Sequence, residues 1–400
     1  MGRLWTDNCG LQTNTAGIIW TAIVTTAPSI DTSIKRGTSP ASYRINNSGA
    51  LEGFRQAFTS SQGDYYSRTY LQFNAWPTGS DRIILGFGLN GSYKACLRVH
   101  TNGTVNFFNA EDNAQIGSSS SALSLSTKYR VEMKSDSTTL SSTAVEVRLY
   151  TDAEPPVLVW SESGTIDITA TPTNFRWAIT QADATLDYSV MDLAINDTSG
   201  SVQNSWPGPE NIFCLRPNGN GANSDWGGSD GNSTDNYLLV NEIPPDSANY
   251  VQDDTSGQID DYNLDATPAA MNSGDIVNYV QVGVYGGVSD ATGGDPDIVT
   301  RATLGGNTSE SGNLDCNSTT FHGPAPLPAN DNYQHTLYTL PVSGSPITKS
   351  DLDSMQAGVR VSVTDTHLAR VAALWVMVGF SPASGTAVKD MIGGFIPFAR

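Results

Sequence analysis

The feature that most limits what this chain can fold into is alternation with a period of two, with almost no helical periodicity beside it. Across residues 128–134, Tyr129, Val131 and Met133 fall on one side, and Lys128, Arg130, Glu132 and Lys134 on the other. Successive side chains of a strand point to opposite faces, so this is a ribbon with one apolar and one wet face, as in an antiparallel sheet. Residues 144–150 repeat the pattern, with Val145, Val147 and Leu149 inward and Glu146, Arg148 and Tyr150 outward. Residues 68–73 and 82–87 read as strands paired across the turn 76–81. Residues 95–100 and 105–108 flank Asn102-Gly103, a strong hairpin signal because both turn residues tolerate positive φ.

Turn residues cluster from 194 to 231, and Ser205-Trp206-Pro207-Gly208-Pro209 marks a handover. At 400 residues the chain is too long for one ordinary β-domain and suited to two. The fold class expected is all-β: two antiparallel β-sandwich (jelly-roll) domains over 1–204 and 205–400, with few short helices. Residues 215–235, dense in Asn, Gly, Ser and Asp, read as a long loop. Strands resume at 275–287 and 358–364. Residues 371–378 are apolar on both faces, which predicts a central strand covered on both sides or lying at a subunit contact. One helix is expected after Thr348, with Asp351 completing a capping box and Gly358 as an αL stop.

Composition excludes several partners. Lys+Arg is 21 against 40 Asp+Glu, a formal charge of −19, which argues against nucleic acid and against an anionic membrane surface. No apolar run approaches the ~18 residues of a membrane-spanning helix, so no membrane insertion is expected. The start has no signal-peptide core, so synthesis in a cytoplasm and exit by a route such as lysis are expected. Cys9, Cys96, Cys214 and Cys316 are scattered, with no CxxC. They read either as buried thiols or as bridges formed after release.

A resemblance joins these readings. Residues 66–73, Asn102-Gly103-Thr104-Val105 and residues 125–132 resemble the concanavalin A-like (laminin G-like) jelly roll, over roughly residues 1–200. The strings at 197–208, 215–221, Asp225-Trp226, 241–246 and Gln356-Ala357-Gly358-Val359 are similar to a two-part arrangement in structural proteins of tailed bacteriophages. The resemblance implies a virion protein, a minor tail or capsid decoration protein or a collar component. It would be present as a homo-oligomer or in many copies, with other virion proteins and copies of itself as partners. It brings no catalytic residues.

The chemistry-bearing residues fit that expectation. A retaining glycosidase needs two carboxyl groups about 5 Å apart, and the Glu-x-Asp-x-x-Glu string of the glucanase version is absent; Glu132, Glu146, Glu154 and Glu162 read as solvated strand faces. His100, His322, His335 and His367 stand in no metal spacing, and no GxSxG elbow occurs. Catalytic, cofactor-binding and metal residues are therefore expected to be none, and the chain is expected not to be an enzyme. Loop oxygens of Asp225, Asp230 and Asp297 could take a Ca²⁺, although Asx turns use the same residues. Trp76, Trp206 and Trp226 lie among turn residues, where they could stack on a sugar or cap a sandwich end. Gly86-Phe87-Gly88 and Gly219-Asn220-Gly221 precede no helix, so neither is a phosphate cradle. Residues 371–380 and the apolar tail at 391–398 are the candidates for inter-subunit or inter-domain burial. The alternative is a glycan-binding adhesin contacting host surface glycans.

Overall fold

Strand pairing explains why so few helical signals appear. The computed structural model describes residues 3–383 apart from 17, 19, 47–50, 59–62, 90–91, 180, 182–184, 291–294 and 324–332. It is all-β, built from four antiparallel sheets stacked as two sandwiches. The first has a large sheet in the order Leu158–Ile166, Thr143–Thr151, Lys128–Asp136, Asp64–Ala75, Asp187–Asp197, Ser42–Ile45 and Ser29–Asp31, with Arg3–Asp7 beside Asp187–Asp197. Facing it is a sheet ordered Ala114–Ile116, Val105–Asn109, Ser92–Val99, Arg82–Leu89, Asn174–Ile179, Glu52–Ala57 and Ala22–Ile23.

Alternation was a reliable guide to which side of a strand meets the core. Tyr129, Val131, Met133, Val145, Val147 and Leu149 all enter it. Aromatic rings fill the space between the sheets: Phe54 stacks on Trp20 at 4.0 Å and on Trp177 at 5.1 Å. The Asn-Gly hairpin forms as expected. Gly103 takes φ +81°, its N–H donates to the His100 carbonyl at 3.0 Å, and Arg98 lies opposite Asn106.

One pairing differs. Strands Asp64–Ala75 and Arg82–Leu89 do not pair with each other; they lie in opposite sheets. The first is flanked by Lys128–Asp136 and Asp187–Asp197, the second by Ser92–Val99 and Asn174–Ile179. The turn between them crosses the sandwich, which sequence adjacency alone does not reveal.

The second sandwich draws on residues 211–381. One sheet runs Gly227–Gly228, Val251–Asp253, Ala369–Ser381, Ile276–Val288, Gln334–Leu337, with Asn211–Leu215 also on Ala369–Ser381. The other runs Pro217–Ser224, Ile259–Leu264, Gln356–Val363, Asp297–Leu304, Asn307–Glu310, with Leu314–Asp315 on Asp297–Leu304. The stretch read as a long loop therefore contains a strand. Gly221 makes it possible, since a Cβ there would sit 2.6 Å from the Asp261 carbonyl oxygen of the neighbouring strand.

Helix Lys349–Asp353 carries the expected capping box: Thr348 accepts from the Asp351 N–H and Asp351 accepts from the Thr348 N–H. Leu352 and Met355 plug the second core. Gly358 does not stop this helix. It lies inside strand Gln356–Val363, where a Cβ would meet the Asp260 carbonyl at 2.2 Å.

Strand Ala369–Ser381 joins the two halves. Leu374, Val376, Val378 and Phe380 enter the second core, while Ala373, Trp375 and Met377 enter the first. Its two apolar faces are thus both covered within one chain. The apolar tail at 391–398 lies outside the described residues.

Candidate functional site

The outer face of the large sheet brings the polar positions of three neighbouring strands into register. Arg130 lies opposite Tyr70 on one side and Tyr150 on the other, and Glu132 opposite Arg68 and Arg148. Lys134 lies opposite Tyr66 and Glu146. Period-two alternation forces this, because residues two apart share a face and antiparallel pairing aligns them across strands. Sequence reading expected a solvated face. Instead Arg68, Arg130 and Glu132 are all buried.

What covers them is the connection between the sandwiches. The Gly208 N–H donates to Glu132 Oε1 at 2.7 Å, and Arg68 donates to the Gly208 carbonyl at 3.0 Å. Trp206 packs edge-on against Tyr66 at 5.3 Å, with the Arg148 guanidinium 4.0 Å over its ring. Glu210, fully buried, bridges Arg3 at 2.7 Å and Arg68 at 2.8 Å, and accepts from Asn278 of the second sandwich at 3.0 Å. Burial works to raise the Glu210 carboxyl, but Arg3 and Arg68 outweigh it and hold it below the usual carboxylate value. At Glu132 and Asp192 burial wins over the neighbouring arginines, and both carboxyls are raised.

The connection leaves one end of the face open, a pocket of about 260 Å³. Tyr70, Arg130 and Arg36 lie at its base; Thr151 to Glu154, Pro209 and Pro382 wall it. Arg36 sits 3.5 Å over the Tyr70 ring and is held by Asp152 at 2.8 Å and Asp192 at 2.7 Å. Arg130 differs. Its guanidinium lies 4.2 Å over Tyr150, and among the described residues its nearest carboxylate oxygen, on Glu132, is 3.8 Å away and its buried Nε has no hydrogen-bond partner. A shallower depression of about 380 Å³ over Gln72 and Lys128 adjoins it and shares Thr151 to Ala153.

The residues singled out from sequence do not assemble at this pocket, with one exception at its rim, Glu154. Glu146 accepts from Arg148 at 2.6 Å and Glu162 from the Ser118 N–H at 3.0 Å. A carboxyl pair does exist elsewhere: Asp64 lies opposite Asp136, and burial together with that neighbour raises Asp64 to about 6. It stands at the far end of the same strands, away from the pocket. His100 meets Asp81 at 2.7 Å and His367 meets Asp365 at 3.3 Å. His322 pairs through its backbone with Gly286. His335 lies 2.9 Å from the Ser309 hydroxyl beside a second pocket of about 550 Å³, and burial lowers its pKa.

Each Ca²⁺ suspect is engaged by the chain itself. Asp225 accepts from the Ile259 N–H, Asp230 from the Asn232 N–H, and Asp297 from the Asn313 amide. Among the described residues no three His, Cys, Asp or Glu side chains gather as a metal set. Trp226 is buried in the second core, its indole donating to the Gln258 carbonyl at 3.2 Å. Trp76 packs on Phe73 at 4.8 Å. None of the four cysteines forms a bridge within the chain, and burial pushes the Cys214 thiol up to about 12. No helix of the described residues is long and apolar enough to cross a membrane.

Sequence reading missed Arg36 and Arg130. The available signal was the recurrence of Arg at outward positions next to Tyr on three strands. It looked like ordinary surface because the segment that covers it lies some way along the chain.

The architecture places the chain among antiparallel β-sandwich, jelly-roll proteins. No known family model matches it, and no curated protein matches it. Solved structures of that class overlap it. An alginate lyase of Aplysia kurodai shares 12% identity at TM-score 0.37 over 48% of this chain and 98% of its own. An endo-β-1,4-glucuronan lyase of Trichoderma reesei shares 8% at 0.34, over 49% and 96%. A GH131 β-glucanase catalytic domain of Podospora anserina shares 14% at 0.30, over 41% and 74%. The expectation that the chain is not an enzyme does not stand beside neighbours that are themselves glycan-active enzymes. At such identities and TM-scores they report a shared sandwich and assign no reaction here.

Proposed function

We propose that this chain is a structural protein of a tailed-bacteriophage particle, a surface decoration, collar or tail component acting through contacts with other virion proteins and with copies of itself. The observation that carries the reading is the fusion of the two sandwiches. Strand Ala369–Ser381 feeds both cores, and Glu210 ties Arg3, Arg68 and Asn278 together under the connection. A shared apolar core and a buried ionic tie resist hinge motion, as a rigid part of a particle requires. Antibody raised to the chain should label intact particles at one fixed position, head, neck or tail. Absence of the protein from purified particles would overturn the reading.

A second reading, a glycan-binding adhesin contacting the host surface, is favoured by the pocket over Tyr70 and Arg130. A concave site with a few converging polar groups is the general form of a small-molecule site, and a sugar residue is one such ligand. A glycan array probed with the full chain should give a restricted set of positives, and a blank array would remove this reading while leaving the first intact.

A further inference from the structure

We infer that the pocket over Arg130 holds the terminal residue of an acidic glycan, with the sugar carboxylate seated on the Arg130 guanidinium. This rests on the glycan-binding reading and names the ligand class for it.

Arg130 is 4% exposed, and its buried Nε has no hydrogen-bond partner among the described residues. Its closest carboxylate oxygen, Glu132 Oε1, is already accepting from the Gly208 N–H and lies 3.8 Å from Arg130 Nε, beyond hydrogen-bond reach. Buried guanidinium groups are normally satisfied by acceptors, because leaving such a donor set unpaired is costly. The neighbouring Arg36 shows the contrast, with Asp152, Asp192 and the Glu210 carbonyl all engaged. Arg130 is part of the pocket lining, so an acceptor placed in that space can reach its guanidinium. A carboxylate matches a planar guanidinium fork with two parallel hydrogen bonds.

The shape of the site selects a chain end. Gly208 on Glu132 and Trp206 against Tyr66 block the outer face on one side, so a polymer cannot thread along the sheet. At about 260 Å³ the pocket is small for a ligand site and suits one pyranose. Pro156, Pro209 and Pro382 offer apolar walls for C–H faces of the ring, and the Asn211 side chain a polar contact. The next sugar would lie over the adjoining depression toward Gln72 and Lys128. Asp152 at the rim is paired with Arg36, which it shares with Asp192, so its charge toward an incoming anion is offset in part.

The test titrates the full chain, by calorimetry, with methyl glucuronide, N-acetylneuraminic acid, methyl glucoside and sodium acetate. At least one acidic sugar should bind about tenfold or more tighter than both the glucoside and acetate. Glucuronide alone assigns a uronate end, and neuraminate alone a sialate end. Arg130→Gln should remove that preference, and Arg130→Lys should restore it only in part. Should Arg130→Gln fail to fold, Ala153→Trp, an exposed rim position, should block the same binding without touching the arginine. Equal binding of glucoside and acidic sugars, unchanged in Arg130→Gln, would overturn the carboxylate assignment and leave glycan binding in place. Acetate binding as tightly as the sugars would reduce the site to a carboxylate trap and overturn the proposal. No sugar bound by the folded chain would remove both the proposal and the glycan reading.

Discussion

Glu210 is the residue on which most charge depends. It neutralises Arg3 and Arg68, both wholly buried. Glu210→Gln keeps the shape but leaves two guanidinium groups without their counter-charge, and breaking such buried pairs costs about 3–5 kcal/mol. Urea unfolding should show that loss; a change within a few tenths would mean that water reaches the arginines. A second residue sets a pH dependence. Asp260 is buried beside Asn236 and Tyr262, and burial, against their hydrogen bonds, raises its carboxyl to about 7. The folded state therefore keeps a proton up to about pH 7 that the unfolded chain releases near its ordinary value of 3.8. Its contribution to stability is full in acid and is lost as pH rises through 7. The urea midpoint of the wild type, compared with Asp260→Asn, should fall between about pH 5 and about pH 8, and the variant's should fall less. Neither residue stood out in the sequence, where Glu210 is a carboxylate after a proline and Asp260 one of a pair of aspartates. Their importance comes from burial, which a strand's own residues do not announce.

At the scale of elements, helix Lys349–Asp353 and the Asn-Gly hairpin were legible because their signals are local: a cap, a spacing, a residue that accepts positive φ. Thr348→Ala removes the hydroxyl that accepts from Asp351 and should cost about 1 kcal/mol by chemical denaturation. An unchanged midpoint would show the helix to be held by Leu352 alone. Strand Ala369–Ser381 was legible as apolar on both faces, but not what covers it. Trp375, 3% exposed, belongs to the first core although it lies on a strand of the second sandwich. Trp375→Ala should cost about 3–5 kcal/mol through the cavity it leaves. Tyrosine and tryptophan fluorescence from both sandwiches should shift to a lower midpoint together. The pairing of residues 68–73 with 82–87 failed for the opposite reason. Both stretches are good strands, and nothing in a turn of that length states whether it stays within a sheet or crosses to the next.

For the whole molecule, shared burial predicts shared unfolding. Because Ala373, Trp375 and Met377 complete the first core, calorimetry on the full chain should give one cooperative transition. Two well-separated transitions, with a fragment of 1–204 as stable as the same residues in the full chain, would contradict this. The sequence by itself determined the all-β class, the core-facing side of strands Lys128–Asp136 and Thr143–Thr151, the hairpin and the capped helix. Those depend on side-chain alternation and on interactions within a few residues. Tertiary structure alone decided that the charged outer face of the large sheet is not surface. The connection at 205–210 folds back over Arg68 and Glu132, and it stops short of Arg130. Where a distant segment comes to rest is set by the packing of both cores at once, and no local pattern of polar and apolar residues encodes it.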